Sequence, residues 1–199
     1  MAYTIYETKA VILGVRPIQE HDLFLRVFSD VFGYINIVAK GTRKAGSKLR
    51  PHINEYSIAT LSVVKGKEMF RLTDARRVFA FDQSRSVVSF FRQAEKLFYH
   101  HEEDHGLETN IHIYKMFGRL AKLLVFIVNE ELTIVPRDVQ DFFTVFVLGE
   151  QGFVTKLDWE EGKRVEDFLK LGDVEVCVWL EKNKSIVQDL LKKNSERVV

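Results

Sequence analysis

The stretch HDLFLRVFSDVFGYINIVAKGTRKAGSKLRPHINEYSIATLSVVKGKEMFRLTDARRV, residues 21–78, decides the architecture of the front of the chain. Leu23 to Ser29 alternates, with Leu23, Leu25 and Val27 on one face and Phe24, Arg26 and Phe28 on the other, which is the period of a strand. Asp30 to Gly33 reads as a turn, and Tyr34 to Ala39 is rich in β-formers again. Glu55 to Val64 places Tyr56, Ile58, Thr60 and Ser62 on one face; Lys65-Gly66-Lys67 is a hairpin signal, and Met69 to Phe81 returns as a strand. Working outward to the N-terminal side, Thr8 to Arg16 mixes β-branched and apolar residues and ends near Pro17. Five strands within the first 81 residues, with one long loop between the third and fourth, predict a small Greek-key barrel of the OB type; a fragment of a β-sandwich is the alternative.

After Ser84 the apolar period lengthens to that of a helix. Val87, Phe90, Phe91, Ala94, Leu97 and Phe98 form a first stripe that gives way to the polar run His100 to Gly106. Ile113, Phe117, Leu120, Leu124 and Ile127 form a second. Pro136 opens a third, carrying Val139, Phe142, Phe143 and Phe146 up to Gly149. Val165, Phe168 and Leu169 mark a shorter helix ending at Gly172, and Ile186, Val187, Leu190 and Leu191 mark the last. The fold class predicted is α+β: a five-stranded OB-type barrel over 1–81, followed by an all-α helical domain over 82–199.

Composition narrows the function classes. The chain has 199 residues, 46% apolar, with three prolines and eleven glycines, which excludes low-complexity and collagen-like chains. One cysteine, Cys177, excludes a disulfide framework and a multi-cysteine zinc site; it lies in the apolar run Val174 to Leu180 and reads as a buried thiol. The beginning MAYTIYETKAVILG has no basic segment or cleavage motif, and the run Leu123 to Val128 is far short of the roughly 20 residues of a membrane span. A soluble, cytoplasmic protein is expected. The net charge of +1 hides an asymmetry: residues 1–80 hold 13 Lys and Arg against 7 Asp and Glu, and the remainder is acidic. Lys40, Arg43, Lys44, Lys48 and Arg50 place five cations in eleven residues without an acid, interspersed with Gly41, Gly46 and Ser47. A flexible basic loop on a β scaffold suits the tracking of a phosphate backbone.

Enzyme signatures are weak or missing. His101-Glu102-Glu103-Asp104-His105 fits the zinc-hydrolase pattern H-E-x-x-H, but Glu103 and Asp104 occupy positions that pack inward in such helices, Gly106 follows at once, and no third ligand is evident. The phosphate-binding, dinucleotide and nucleophile-elbow glycine motifs do not occur, and the acid pairs Glu130-Glu131 and Glu160-Glu161 have no fixed partner in the sequence. No catalytic residue, metal or cofactor is expected. Among the aromatics, Tyr34, Tyr56 and Phe70 flank the basic loop, where core packing is favoured over stacking on bases.

In their order and spacing, Phe28-Ser29 before Gly33, then Ala39-Lys40-Gly41, Arg43, Ser47 with Leu49-Arg50, the hairpin Gly66 and Leu72-Thr73 resemble the N-terminal domain of the RecO family of bacterial DNA repair and recombination mediators. The likeness covers about residues 5–80 and continues weakly into the helical half, from Val147-Leu148-Gly149 to Leu157-Asp158. Many members of the family carry zinc-binding cysteines just after that leucine-aspartate pair. Here the segment reads Trp159-Glu160-Glu161-Gly162, so the chain resembles a short member without zinc.

The resemblance implies a non-enzymatic mediator that binds single- and double-stranded DNA and anneals complementary strands. It implies help, together with a RecR-type mediator protein, in loading the recombinase onto DNA coated by single-strand-binding protein, and docking of that protein's C-terminal tail on the helical domain. Carried onto this sequence, DNA contact falls on Lys40, Arg43, Lys44, Lys48 and Arg50, supported by Arg16, Lys65, Lys67 and Arg71 on strand-end loops. Lys115, Arg119 and Lys122 are the cations available for tail docking, although the solvated face of an amphipathic helix explains them more simply. Five loop cations meeting five phosphates on a single strand would give a slope of log affinity against log salt of about −3.5. The alternatives are an OB-fold protein–protein adaptor and an RNA-binding factor.

Overall fold

The computed structural model describes residues 3–105, 111–130, 136–152, 154 and 165–194, with the side chains of 100–105, 165 and 166 outside the description. Its strands are β1 (Ile5–Ile18), β2 (Asp22–Ser29), β3 (Gly33–Ala39), β4 (Ser57–Lys65) and β5 (Phe70–Ala80), and a single 3₁₀ turn, Arg50–His52, lies between β3 and β4. They close into a barrel in the order β1-β2-β3-β5-β4. Every pairing is antiparallel except β3 with β5, which meet in parallel at only Ile37↔Phe70 and Val38↔Arg71. This is the α+β, OB-type architecture expected from the alternation.

The alternation is also what fills the barrel. Ile12, Leu25, Val27, Ile37, Ala59, Leu61 and Val63 are fully buried inside it, each separated from the next inward residue of its strand by one that faces out. Register shifts between Ile12 and Gly14 on β1, and between Ile58/Ala59 and Ser62/Val63 along the β4–β5 pair, bend the strands as closure of so small a barrel demands. β1 is longer than its sequence suggests: Pro17 stays in the strand, opposite Leu23. The β2–β3 turn is held by the buried Ser29, whose Oγ accepts from the N–H groups of Val31 and Phe32 and shares a 2.6 Å hydrogen bond with Thr8.

The remaining elements are α1 (Arg85–His105), α2 (Ile111–Asn129), α3 (Pro136–Glu150), α4 (Val165–Lys170) and α5 (Asp173–Lys193). The chain divides into two compact units, Met1–Ser84 with Phe98–Ile111, and Arg85–Leu97 with His112–Val199, so the division falls within α1. In the first unit Phe98 stacks on Phe28 of β2, with ring centroids 4.1 Å apart and planes 9° from parallel. In the second, Val139 to Leu148 of α3 are all buried, as in a helix surrounded by its neighbours. Phe90, Phe91, Phe117 and Phe143 pack edge-to-face and stacked on one another, and Phe142, Phe168 and Trp179 form a second aromatic group. α5 begins well before the apolar stripe at its end: Glu175 caps it by accepting from the Gly172 N–H at 2.8 Å, and Ile186 is exposed where the stripe placed it inside. No helix among the described residues is long and apolar enough to cross a membrane.

Candidate nucleic-acid interface

Strand register assembles the site. Arg16 pairs with Phe24, Phe24 with Val38, and Val38 with Arg71, so these four residues stand side by side across β1, β2, β3 and β5 on the outside of the barrel. At about 4.8 Å between neighbouring strands the row extends roughly 14 Å along the sheet. The Arg16 guanidinium lies 4.5 Å above the Phe24 ring, a cation–π arrangement that leaves its N–H groups free to turn outward. Beside the row, the β4–β5 hairpin closes through a 3.0 Å hydrogen bond from the Gly66 N–H to the Met69 carbonyl. Between hairpin and β3 runs a groove of about 480 Å³ whose walls include Tyr3, Val38, Lys40, Lys65, Lys67, Phe70 and Arg71. Tyr3 is 73% exposed and Met69, on the same wall, 39%.

The groove thus brings together four of the nine cations singled out in the sequence: Lys40, Lys65, Lys67 and Arg71. Arg16 continues their line through the cross-strand row. Arg43, Lys44, Lys48 and Arg50 do not line this groove. Their loop is fastened at its beginning, where the Asp22 carboxylate accepts from the Gly41 N–H at 2.7 Å and the buried Thr42 hydroxyl donates to the Ala39 carbonyl at 2.9 Å. Arg43 is tied to the β1–β2 turn, donating through its backbone to the His21 carbonyl at 2.9 Å and through Nη1 to the Gln19 carbonyl at 3.5 Å. Turns from Lys44 to Gly41 and from Ser47 to Lys44 follow, with positive φ at Gly41 and Gly46. The glycines therefore serve defined turns.

All nine cations are exposed, and none forms an ion pair with a carboxylate among the described residues. Their charge is left to solvent or a polyanion. One acid, the exposed Glu68, sits on the groove wall. Sequence reasoning missed Tyr3, Phe24, Val38 and Met69. The outward phase of Phe24 on β2 was a usable signal, whereas nothing in the sequence pairs β3 with β5. It also passed over Arg76 and Arg77, both exposed on β5. Tyr34 and Tyr56 are 4% and 7% exposed and belong to packing, while Phe70 is half-buried and reaches the groove. Gly66 is required at the hairpin because a Cβ there would stand 2.5 Å from the Met69 carbonyl oxygen. Gly66→Ala should therefore displace Lys65 and Lys67, lowering oligonucleotide affinity several-fold in a fluorescence titration while the helical unit's unfolding stays unchanged.

The other candidates resolve differently. Arg119 is not available for a partner: its guanidinium is 16% exposed, bonded to the Asp173 carboxylate and, at 3.0 Å, to the Leu171 carbonyl. This anchors α2 to the beginning of α5. The side chains of His101 to His105 lie outside the described residues, and so does the 159–162 segment; among the described residues no group of His, Cys, Asp and Glu is arranged to hold a metal. Cys177 is 6% exposed, and burial first, then Asp173 and Glu181, push its thiol up from the ordinary range. Less thiolate then forms at any given pH, so modification by a disulfide reagent at pH 8 should be much slower than for free cysteine, accelerating only on unfolding. Equal rates for native and unfolded protein would contradict this.

A closed five-stranded barrel with a cationic, aromatic-edged groove has the architecture of the OB type. Residues 1–81 match the family model described as Recombination protein O N terminal. Over this region the chain is similar to "DNA repair protein RecO" of Clostridium acetobutylicum, 27% identical over 79 residues, which are 40% of this chain and 32% of that protein. It is similar also to proteins of the same name from Clostridium kluyveri, 27% identical over 77 residues (39% of this chain and 30% of that protein), and Mycoplasma mycoides subsp. mycoides, 29% over 69 residues (35% and 28%). The matched region spans about a third of the length of these relatives.

Proposed function

We propose that this chain is a non-enzymatic DNA repair and recombination mediator, in which residues 1–81 bind DNA and residues 82–199 serve protein partners. The observation that carries the reading is the groove of cations without carboxylate partners among the described residues, on a barrel that matches the Recombination protein O N-terminal model. Phosphates of a single strand lie against Lys40, Lys65, Lys67, Arg71 and Arg16, and bases stack against Tyr3 or the Phe24 edge of the row. Contacts to phosphate position the strand and read no sequence, so binding is general. Annealing follows from the same electrostatics: two polyanions meet at a surface that screens both, and no bond is made or broken. The exposed loop of Arg43, Lys44, Lys48 and Arg50 supplies the cations for a second strand or for duplex.

On this reading the helical part carries the docking of a RecR-type mediator and of the C-terminal tail of single-strand-binding protein. The working place is the cytoplasm, at the nucleoid. The test is an anisotropy titration of the full chain against a labelled oligonucleotide at several salt concentrations, followed by a strand-annealing assay. Five phosphate contacts predict a slope of log affinity against log salt of about −3.5. A slope near zero, or no binding at low salt, would leave the adaptor reading instead. Tighter capture of RNA than of DNA of equal length would make the barrel an RNA-binding module.

A further inference from the structure

Strand β5 has one paired edge and one open edge. β4 runs beside its whole length, from Lys65 opposite Phe70 to Ser57 opposite Ala80, whereas β3 meets it only at Phe70 and Arg71. From Leu72 to Val78 the backbone groups turned away from β4 have no backbone partner among the described residues, although the Arg50–His52 turn lies nearby. Such an edge can take a further strand, because its N–H and C=O groups are already aligned. Arg76 to Ala80 are all exposed in succession, so this end of β5 is wet on both faces as well.

The charges on the edge decide what strand fits it. Between the two register shifts, Asp74 to Arg77 pairs regularly with Ser62 to Ala59. Ala75 points into the barrel core, so its neighbours Asp74 and Arg76 share the outer face. Both are exposed, and neither is in an ion pair among the described residues. An acid and a base two positions apart on an open edge are complementary to the same segment run backwards. Two copies of one strand lie edge to edge and antiparallel about a two-fold axis perpendicular to the sheet, which keeps outer face beside outer face. Centred on Ala75, that axis sets Asp74 against the second copy's Arg76, and Arg76 against its Asp74. Moving the centre by one residue sets Asp74 against Asp74, or Arg76 against Arg76, which repels. The open segment Leu72–Val78 is itself centred on Ala75.

We propose that a second copy of this chain pairs antiparallel along Leu72–Val78 of β5, with the two-fold axis at Ala75. Two cross-strand ion pairs fix the register, and backbone hydrogen bonds continue the sheet from one barrel into the next. The same charges turn away strands of other sequence, as guarded edges do. So short a seam buries little surface, so the dimer is weak and depends on concentration. The axis also reverses every direction lying in the sheet. Two single strands held alike in the two grooves therefore run antiparallel, the polarity that annealing needs; this last step rests on the DNA reading, as the pairing itself does not.

Sedimentation velocity of the full chain without nucleic acid, from about 5 to about 500 µM, tests the pairing. The wild type should move from the monomer's mass toward twice that mass as concentration rises. Asp74→Arg alone sets two cations against each other, and Arg76→Asp alone sets two carboxylates against each other; each should weaken self-association at least about tenfold. The double variant Asp74→Arg with Arg76→Asp should restore it. An equal mixture of the two single variants should form mixed dimers where neither forms its own, a result that no effect within one chain can produce. Should a swap unfold by circular dichroism, Asp74→Asn and Arg76→Gln take its place, each weakening the dimer several-fold. A chain that stays monomeric over the whole range, association indifferent to these substitutions, or single variants that fail to mix would each overturn the proposal. None of these results bears on whether the groove binds DNA.

Discussion

Replacing Lys40, Lys65, Lys67 and Arg71 together by glutamate should reduce single-strand affinity at low salt by at least about a hundredfold and flatten the salt slope by about 2.8, since each phosphate contact on a single strand contributes roughly 0.7. Thermal unfolding should stay near that of the wild type, because all four side chains are exposed and none is paired with a carboxylate among the described residues. The loop triple Arg43→Glu, Lys44→Glu and Lys48→Glu separates the two halves of the cationic surface. It should spare most single-strand binding and abolish annealing, which needs a second strand to be held. If the groove variant retains the wild-type slope while the loop variant loses it, the assignment of strands to surfaces is reversed. Unfolding of either variant would mean that a structural segment had been taken for a binding one.

The second large effect concerns two phenylalanines four residues apart on the same strand and the same outward face. Phe28 is fully buried and stacked on Phe98 within the first unit, so Phe28→Ala should cost about 3–5 kcal/mol and lower the barrel's melting temperature accordingly. Phe24, half-buried beneath the Arg16 guanidinium, should cost far less on truncation, about 1 kcal/mol, yet should weaken oligonucleotide binding. Chemical denaturation followed by tyrosine and tryptophan fluorescence, with the anisotropy titration alongside, reads both quantities. Equal stability losses in the two variants would show that the outer face of β2 is uniformly structural, and the proposed row would lose its middle member.

That contrast shows where the sequence is legible. The period of two set Leu25 and Val27 on the face opposite Phe24 and Phe28, and grouped Ile58, Thr60 and Ser62 on one face of their strand; it is closure of the barrel that puts Leu25, Val27, Leu61 and Val63 inside. The helical stripes were equally plain: Phe90, Phe91, Phe117 and Phe143 are all buried. What the pattern could not tell was why Phe24 and Phe28, in identical phase, differ. That depends on Phe98, which arrives seventy positions later along the chain. The basic loop was conspicuous as a cluster of like charges, but the groove was not, since Lys40, the 65–71 hairpin and Tyr3 converge only through β3–β5 pairing. Arg119 and Lys115 look alike in sequence, and only the position of Asp173 separates a fixed guanidinium from an exposed ammonium.

The barrel is sealed by two residue pairs, Ile37↔Phe70 and Val38↔Arg71, and the last strand to emerge provides half of that seam. Hairpin β2–β3 can form as soon as it leaves the ribosome, but the beginning of β1 must wait for Val64 and the seam must wait for Phe70. At roughly 5–20 residues per second, a nascent chain passes several seconds as an open, sticky sheet before it can shut. The groove lies on that seam, so the surface proposed to hold DNA is the last feature of the barrel to come into being and the first to vanish when the barrel breathes.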